Sequence, residues 1–409
     1  MARWLTTCLL ATLAGSPAWA QTSPYYVGGI ASVTREDNLL RLGDGQAAPS
    51  GLSKSDTISS LALTGGVDQP IGRQRVFGNV TLRESRFAEN DVYDNRSYAL
   101  NAGLDFATVE RVSGNLRLGA TRRLAQFNTD TLGLVTEKNE ESTRRIDATV
   151  RVGVVTRWSF EAGAGHRSID YSSDAYASRV FNQDHASLGI RYRPQAASSF
   201  ALTLRDARGR YPRSRIDPVN GGYDEERFDR RDLDLEATLQ PSAASRLLAR
   251  LSYGDIDYEL LDARDFRGVT GLLSWDWRPT AKLAFDTRLT RDPSQDAYFA
   301  DSELEPERTV EYSRITDALR LGVNYLATSK VSLSARLALW RRSTIANDAG
   351  VTLRDTERGN AATLGLSWSP TRTLLVGCEI SRERRRGDGV LSQDMTAKSA
   401  SCQTRLTLQ

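Results

Sequence analysis

The chain has 409 residues, with 54 basic and 51 acidic side chains, a net charge of +3 and a mean hydropathy of −0.43. So even a charge balance leaves no electrostatic footprint for a nucleic acid, and no such partner is expected. Past the N-terminus there is no apolar run of the roughly eighteen residues that a membrane-crossing helix needs, which excludes a helical bundle in a bilayer.

Residues 1–20 read as a secretory signal. Arg3 gives the positive start, Leu5–Ala14 the apolar core and Ala18-Trp19-Ala20 the cleavage site. Residues 21–409 then form one unit. No cysteine stands just after the cleavage site, so a lipid anchor is not expected. Cys8 leaves with the signal, while Cys378 and Cys402 reach an oxidising compartment.

From there the chain alternates apolar and polar residues in short runs. The first is Tyr25–Val33, then Thr57–Val67 and Arg75–Arg83 about a turn at Asp68–Gly72. Arg96–Phe106 and Arg111–Thr121 follow, then Thr143–Val155 with Arg157–His166, and His185–Arg193 with Ser198–Arg205. Asp232–Gln240 pairs with Arg246–Tyr253, and Thr270–Trp277 with Leu283–Arg291. Arg314–Leu326 with Lys330–Trp340, Gly359–Ser369 with Arg372–Ser381, and a final Ala397–Leu408 complete the series. The polar segments between hairpins read as long charged loops. The connections within hairpins are short and alike: RPQAAS, QPSAAS, RPTA, SPTR. Every proline of the secreted chain falls in a proposed turn, loop or terminal segment, where a missing N–H does no harm.

In the hairpin Arg267–Arg291, Leu273, Trp275 and Trp277 share one face and Ser274 and Asp276 the other. On the returning strand Leu283, Phe285, Thr287 and Leu289 oppose Ala284, Asp286 and Arg288. A packed soluble core would not take unpaired charges in mid-strand. A barrel with lipid outside and water inside takes them naturally. The expected fold is therefore all-β: a transmembrane antiparallel up-and-down barrel of about 18 strands in the outer membrane, with short turns facing the periplasm. A propeller would need four strands per repeat, and this repeat supplies two. Trp158, Trp275, Trp277 and Trp368 sit beside short turns with Phe106, Phe160, Tyr192, Phe200 and Tyr325, as a membrane-interface girdle requires. Trp340 sits at the opposite strand end.

Chemistry-bearing motifs are scarce. His166 and His185 are the only histidines, and a Ser–His site on either is the sole enzymatic option; no nucleophile elbow, phosphate loop or metal-ligand spacing is present. No catalysis, metal or cofactor is expected. The inward face is rich in arginine: Arg83, Arg117, Arg151, Arg191, Arg193, Arg205, Arg250, Arg288, Arg320, Arg336 and Arg405. Asp105, Asp147, Asp234, Glu236, Asp286 and Glu379 lie among them. They form either a basic track for acidic, phosphorylated or polymeric solutes, or paired charges that stiffen the wall. If Ser381 opposes Ser399, Cys378 faces Cys402 within disulfide range on the apolar face; the alternative is two small residues touching lipid. Tyr93, Tyr171, Tyr176, Tyr211, Tyr223, Tyr258, Tyr298 and Tyr312 fall in proposed loops, as sugar-stacking rings or as loop anchors.

ASVTREDNLLRL, SKSDTISS, VTLRESRFAENDVYDNRSYALNAGLDF, RDARGRYPRSRIDP and RLLARLSYGDIDYELLDARDFRGVTGLLSWDWRPTAKLAFDTRLTRD resemble the EpsL-type outer-membrane proteins of exopolysaccharide-biosynthesis operons, within a broader group of β-barrel porins. Arg264-Asp265-Phe266 with Gly268 is the most characteristic piece, and the resemblance spans nearly the whole secreted chain. It implies a barrel that serves synthesis or export of an extracellular polysaccharide. The implied partners are that polymer and its export and biosynthesis machinery, besides outer-membrane lipid and the barrel-assembly machinery. The ending Leu406-Thr407-Leu408-Gln409 departs from the aromatic terminus common in such barrels. A general or sugar-selective diffusion porin and a structural or surface-binding barrel are the alternatives.

Overall fold

The computed structural model describes residues 23–409 apart from 110, 126, 128–135, 154–155, 217–221, 261–263, 294–312, 349–350 and 390–391. The secretory signal expected at residues 1–20 lies outside the described residues. Eighteen strands follow in order: β1 (Tyr25–Glu36), β2 (Asp56–Ile71), β3 (Gln74–Phe87), β4 (Asn95–Ala107), β5 (Val112–Leu124), β6 (Glu140–Val152), β7 (Trp158–Tyr171), β8 (Phe181–Gln195) and β9 (Ser198–Ile216). Then come β10 (Tyr223–Ser242), β11 (Ser245–Tyr258), β12 (Phe266–Thr280), β13 (Leu283–Pro293), β14 (Ser313–Leu326), β15 (Val331–Asp348), β16 (Val351–Trp368), β17 (Leu374–Gly387) and β18 (Met395–Leu408). Each strand pairs antiparallel with its sequence neighbours, and β1 pairs with β18, from Val27 opposite Leu408 to Glu36 opposite Ser399. The sheet closes on itself and has no open edge, which is the condition for backbone to sit in hydrocarbon.

The pleat sorts the side chains. Leu61, Leu63 and Leu188 point outward and are about two-thirds exposed, with Leu202, Leu204, Leu233, Leu235 and Leu364 around the same belt. So much exposed leucine is what lipid, not water, would cover. At the short-turn end Trp158, Phe160, Trp275, Trp277, Tyr325 and Trp368 are exposed on the same outer face. Their rings touch one another: Trp158 with Tyr192 at 4.5 Å, Trp277 with Phe285 at 5.2 Å. Trp340, by contrast, falls on the inner face and donates its indole N–H to Glu357 at 3.2 Å.

The strands run further than hydrophobic alternation suggests, and this corrects the expected loops. β9 continues through Asp206, Arg208 and Arg210, and β10 already contains Arg227, Asp229 and Arg231. β15 and β16 carry Arg341 opposite Arg358 and leave only residues 349–350 between them. The strict alternation of long and short connections therefore fails at that hairpin. Above the lipid belt the outward positions meet water, so charge replaces leucine while the backbone ladder carries on.

Several prolines also lie within strands rather than outside them. Pro194, Pro241 and Pro279 coincide with register shifts next to short turns, and Pro212 lies in the shift where β9 meets Asp224 and Glu226. A bulge tolerates the lost donor. Pro70 lies past the reach of β1, whose pairing with β2 ends at Tyr25 opposite Val67. The expected five-residue turn there shrinks to Gly72-Arg73, and Gly72 has a φ of 63°, which suits a residue without a Cβ. The residue before each turn proline ties one turn to the previous one. Arg193 N–H donates to the Arg157 carbonyl at 2.7 Å, Gln240 to Ala197 at 2.8 Å, Arg278 to Ala244 at 2.7 Å and Ser369 to Lys330 at 2.7 Å.

At the other end two apolar clusters form. Leu39, Leu40 and Leu42 from the β1–β2 connection bury themselves against Phe87 and Tyr93. Asp56 secures that corner by accepting N–H bonds from Ala88, Glu89 and Asn90 and from the Asn90 amide, at 2.7–3.1 Å. Across the mouth, Ile169, Phe181, Tyr211, Phe228, Ile256 and Tyr258 pack on the inner face of β7–β11.

Candidate functional site

The inner wall of β6–β11 carries a belt of charges within the lipid-belted part of the barrel. Its assembly follows from register. Arg191 on β8 is flanked by Ser159 and Ala201, and Glu161 on β7 by Arg151 and Gly189. The small neighbours Ser159, Gly189 and Ala201 let long side chains lie across adjacent strands. Glu161 accepts from Arg191 at 2.6 Å and from Arg151 at 3.2 Å. Arg191 reaches over Ala201 to Glu236 on β10 at 3.0 Å and leaves Ala201 almost fully covered. One level up, Arg205 lies 3.2 Å from Asp232 and 3.3 Å from Asp234, and Arg230 donates to Asp232 at 2.7 and 2.9 Å. A cavity of about 400 Å³ opens along this wall, bordered by Asp147, Glu161, His185, Arg191, Arg205 and Arg250. Fixed charge in so confined a space acts on other charges inside it more strongly than charge on an open surface does.

The remaining expected lumen residues lie elsewhere around the ring. Arg288 and Arg320 are directly opposite one another on β13 and β14. Asp286 lies over Gly322, where any Cβ would collide with its carboxylate, and the row continues to Arg336 on β15. Arg336 pairs with Glu379 at 2.7 Å, and Arg117 with Asp105 at 2.7 Å, with its guanidinium 4.5 Å from the Phe77 ring. Arg83 and Arg405 occupy one cross-strand row, separated by Ala62 and Ile30. Arg151, Arg191, Arg205 and Arg250 thus share the β6–β11 wall, whereas Arg288, Arg320 and Arg336 stand on another. Arg193 falls in the register shift beside the β8–β9 turn.

Glu161, Arg230 and Asp232 belong to the belt, as does Arg145, which pairs with Asp147 on the same cavity wall, and the sequence alone singles out none of the four. Parity within the Arg157–His166 run places Glu161 inward. Arg230 was hidden because its segment reads as loop. The histidines do not converge: His166 is outward, with Nδ1 2.7 Å from Asp184, while His185 is inward, 3.7 Å from Asp147. Among the described residues no cluster of three or more metal-ligating side chains occurs.

Cys378 and Cys402 are directly opposed on β17 and β18, in the register that puts Ser381 opposite Ser399, and a disulfide joins them on the outer face. The tyrosine expectation needs correction. Tyr211, Tyr223 and Tyr258 lie on strands, Tyr93 and Tyr176 on 3-10 turns, and Tyr298 and Tyr312 fall outside the described residues. Tyr93, Tyr211 and Tyr258 are buried in the two apolar clusters and Tyr176 is buried beside the Tyr171 ring, so their rings anchor the mouth and present no face for a sugar.

No protein-family model matches the chain, and no curated protein sequence does. Among solved structures it is similar to OccK2 (OpdF) of Pseudomonas aeruginosa, with a TM-score of 0.52 and 14% identity over 94% of this chain and 98% of that one. It is also similar to OpdK of the same organism, crystallised with vanillate, with a TM-score of 0.50 and 10% identity over 94% and 99%. At such low identity the likeness concerns the fold. A closed eighteen-strand antiparallel wall, a leucine belt and an aromatic girdle define the class: this is an outer-membrane β-barrel, and it is porin-like in architecture.

Proposed function

We propose that the chain is a non-catalytic diffusion channel for small polar solutes, with a preference for anions. The inner-face arginines carry this reading. They ring the lumen on nearly every strand pair, and two of the carboxylates among them are each held by two guanidiniums, Glu161 by Arg151 and Arg191 and Asp232 by Arg205 and Arg230. Rings of arginine favour anion passage. The vanillate in the OpdK structure is an anion of the size proposed.

The test is reversal potential in planar bilayers under a salt gradient. Anion selectivity is expected. Arg191→Ala, which takes one of two guanidiniums from Glu161 and the Arg191 contact from Glu236, should shift the permeability ratio toward cations by about twofold to fivefold. Cation selectivity of the unaltered barrel would overturn the proposal.

A polysaccharide role rests on the resemblance to EpsL-type proteins. Its most characteristic piece has a structural task here: Asp265 accepts the Tyr258 N–H at 2.8 Å, and the Arg264 guanidinium lies 5.9 and 6.0 Å from the Tyr211 and Tyr258 rings. Those residues support the mouth of a barrel whatever it carries. A deletion strain secreting normal amounts of polysaccharide would count against that role.

A further inference from the structure

We infer that the outer face of β1–β5 is a built site for a phosphorylated lipid of the outer leaflet that bears more than one acyl chain. Three cavities meet there. A groove of about 880 Å³ is lined by Gly29, Ala31, Leu61, Leu63, Tyr98 and Leu406. A second, of about 680 Å³, shares Ala31, Leu61 and Thr404 with it and runs past Val33, Cys402 and Val376. A polar pocket of about 500 Å³ sits above both, lined by Arg86, Arg96, Arg122 and Lys138 together with Glu84, Glu140 and Asp94. Glu84 borders all three, and Arg96 and Arg122 border both the polar pocket and the larger groove.

The sequence makes this trough by putting small residues outward where other strands have leucine. A Cβ on Gly29 would meet nothing within 4 Å, so the floor there is open space. Leu61 and Leu63, 70% and 68% exposed, stand as its wall. These tracks are apolar and lie in the lipid belt, so their occupant is acyl chain. The pocket above lies at the extracellular ends of β3–β5, at headgroup height.

Its charges suit phosphate. Two of its three carboxylates are each divided between two cations: Glu84 between Arg86 at 2.9 Å and Arg96 at 3.5 Å, Glu140 between Arg122 and Lys138, the latter at 3.2 Å. Asp94 spends one oxygen on the Phe87 N–H at 2.8 Å. Four cations against three carboxylates leave an excess, and Arg86 and Arg96 keep most of their surface free to bind. A guanidinium fork matches phosphate geometry as it does carboxylate, through charge-assisted N–H bonds. Two tails below one basic pocket match a multi-chain phospholipid or phosphoglycolipid, not a detached phosphate.

The test uses the full barrel purified in detergent and native mass spectrometry. The probe is a diphosphorylated, multi-acyl glucosamine-disaccharide lipid, compared with its phosphate-free form. One lipid per barrel should survive activation, with the phosphate-free form held about tenfold more weakly. Arg96→Ala combined with Arg122→Ala should weaken the phosphorylated lipid to the same degree. Ala31→Leu, which fills the trough without touching charge, should release it. Gly29→Val serves if Ala31→Leu fails to give the heat-modifiable gel mobility of a closed barrel. Equal retention of both lipids, wild-type retention in the trough and charge variants, or full displacement by inorganic phosphate would each overturn the inference. Channel conductance should be unchanged throughout, because all these side chains lie outside the lumen. Failure here therefore leaves the channel proposal untouched, and the reverse also holds.

Discussion

The lower and upper halves of β7–β12 carry opposite polarity on one continuous ladder. In the lower half leucine and tryptophan point outward and Arg191, Arg205, Asp234 and Arg250 point inward. In the upper half Asp206, Arg208, Arg227 and Asp229 point outward, and Tyr211, Phe228, Ile256 and Tyr258 pack inside. The lower half is inside-out and the upper half is arranged like a soluble protein. Backbone pairing is indifferent to this change; only the solvent outside the wall has switched from hydrocarbon to water.

The largest effect that would break this comparison is expected from Phe228→Ala. It empties the middle of the upper cluster, where Phe228 stacks with Phe181 at 5.9 Å and contacts Tyr258 at 5.3 Å. Cavity formation in a packed core costs roughly 3–5 kcal/mol, readable in denaturant unfolding from micelles. Truncating a lipid-facing leucine should cost far less, because lipid refills the gap.

Next comes a pair of outward substitutions on one strand. Leu235→Arg in the lipid belt should cost about 2–4 kcal/mol. Arg231→Leu, four residues higher, should stay within about 0.5 kcal/mol. Equal costs would dissolve the boundary between the two halves.

The smallest effect is pH-dependent and sits at the opposite side of the mouth. Burial lifts the Asp56 carboxyl, but the Asn90 side chain and the Glu89, Asn90 and Thr57 N–H groups outweigh it and hold the pKa below the ordinary aspartate range. A lowered folded pKa contributes stability that is present above the unfolded value of about 4 and lost as pH falls through the lower folded value. The β1–β2 connection should therefore resist an acid-active protease near pH 5 and be cut more readily as the pH falls below the unfolded aspartate value of about 4. Asp56→Asn should remove that difference.

The eighteen runs of alternation are readable in the sequence because lipid imposes leucine on every second position, and that also places Asp286, Arg288 and Arg336 inward. The same signal stops where lipid stops, so β9, β10, β15 and β16 read shorter than they are and Phe228 and Arg230 pass for loop. The charge belt is legible as a set of inward residues but not as contacts. Arg191 meeting Glu236 across Ala201 depends on the registers of two seams at once. The facing of Cys378 and Cys402 needs only one register, within a single hairpin, and that one is readable.

That cross-link has a consequence for the geometry of closure. Around a barrel the offsets of all the seams must add up to a fixed shear, so no seam can slide alone. Slippage by one residue would exchange leucine for arginine along a whole strand. β18 is fastened to β17 by sulfur and to β1 by ten backbone pairings from Val27 to Glu36. A covalent pin at one joint thus restricts the sum for the entire circumference, and barrel width is held by a bond that never touches the lumen.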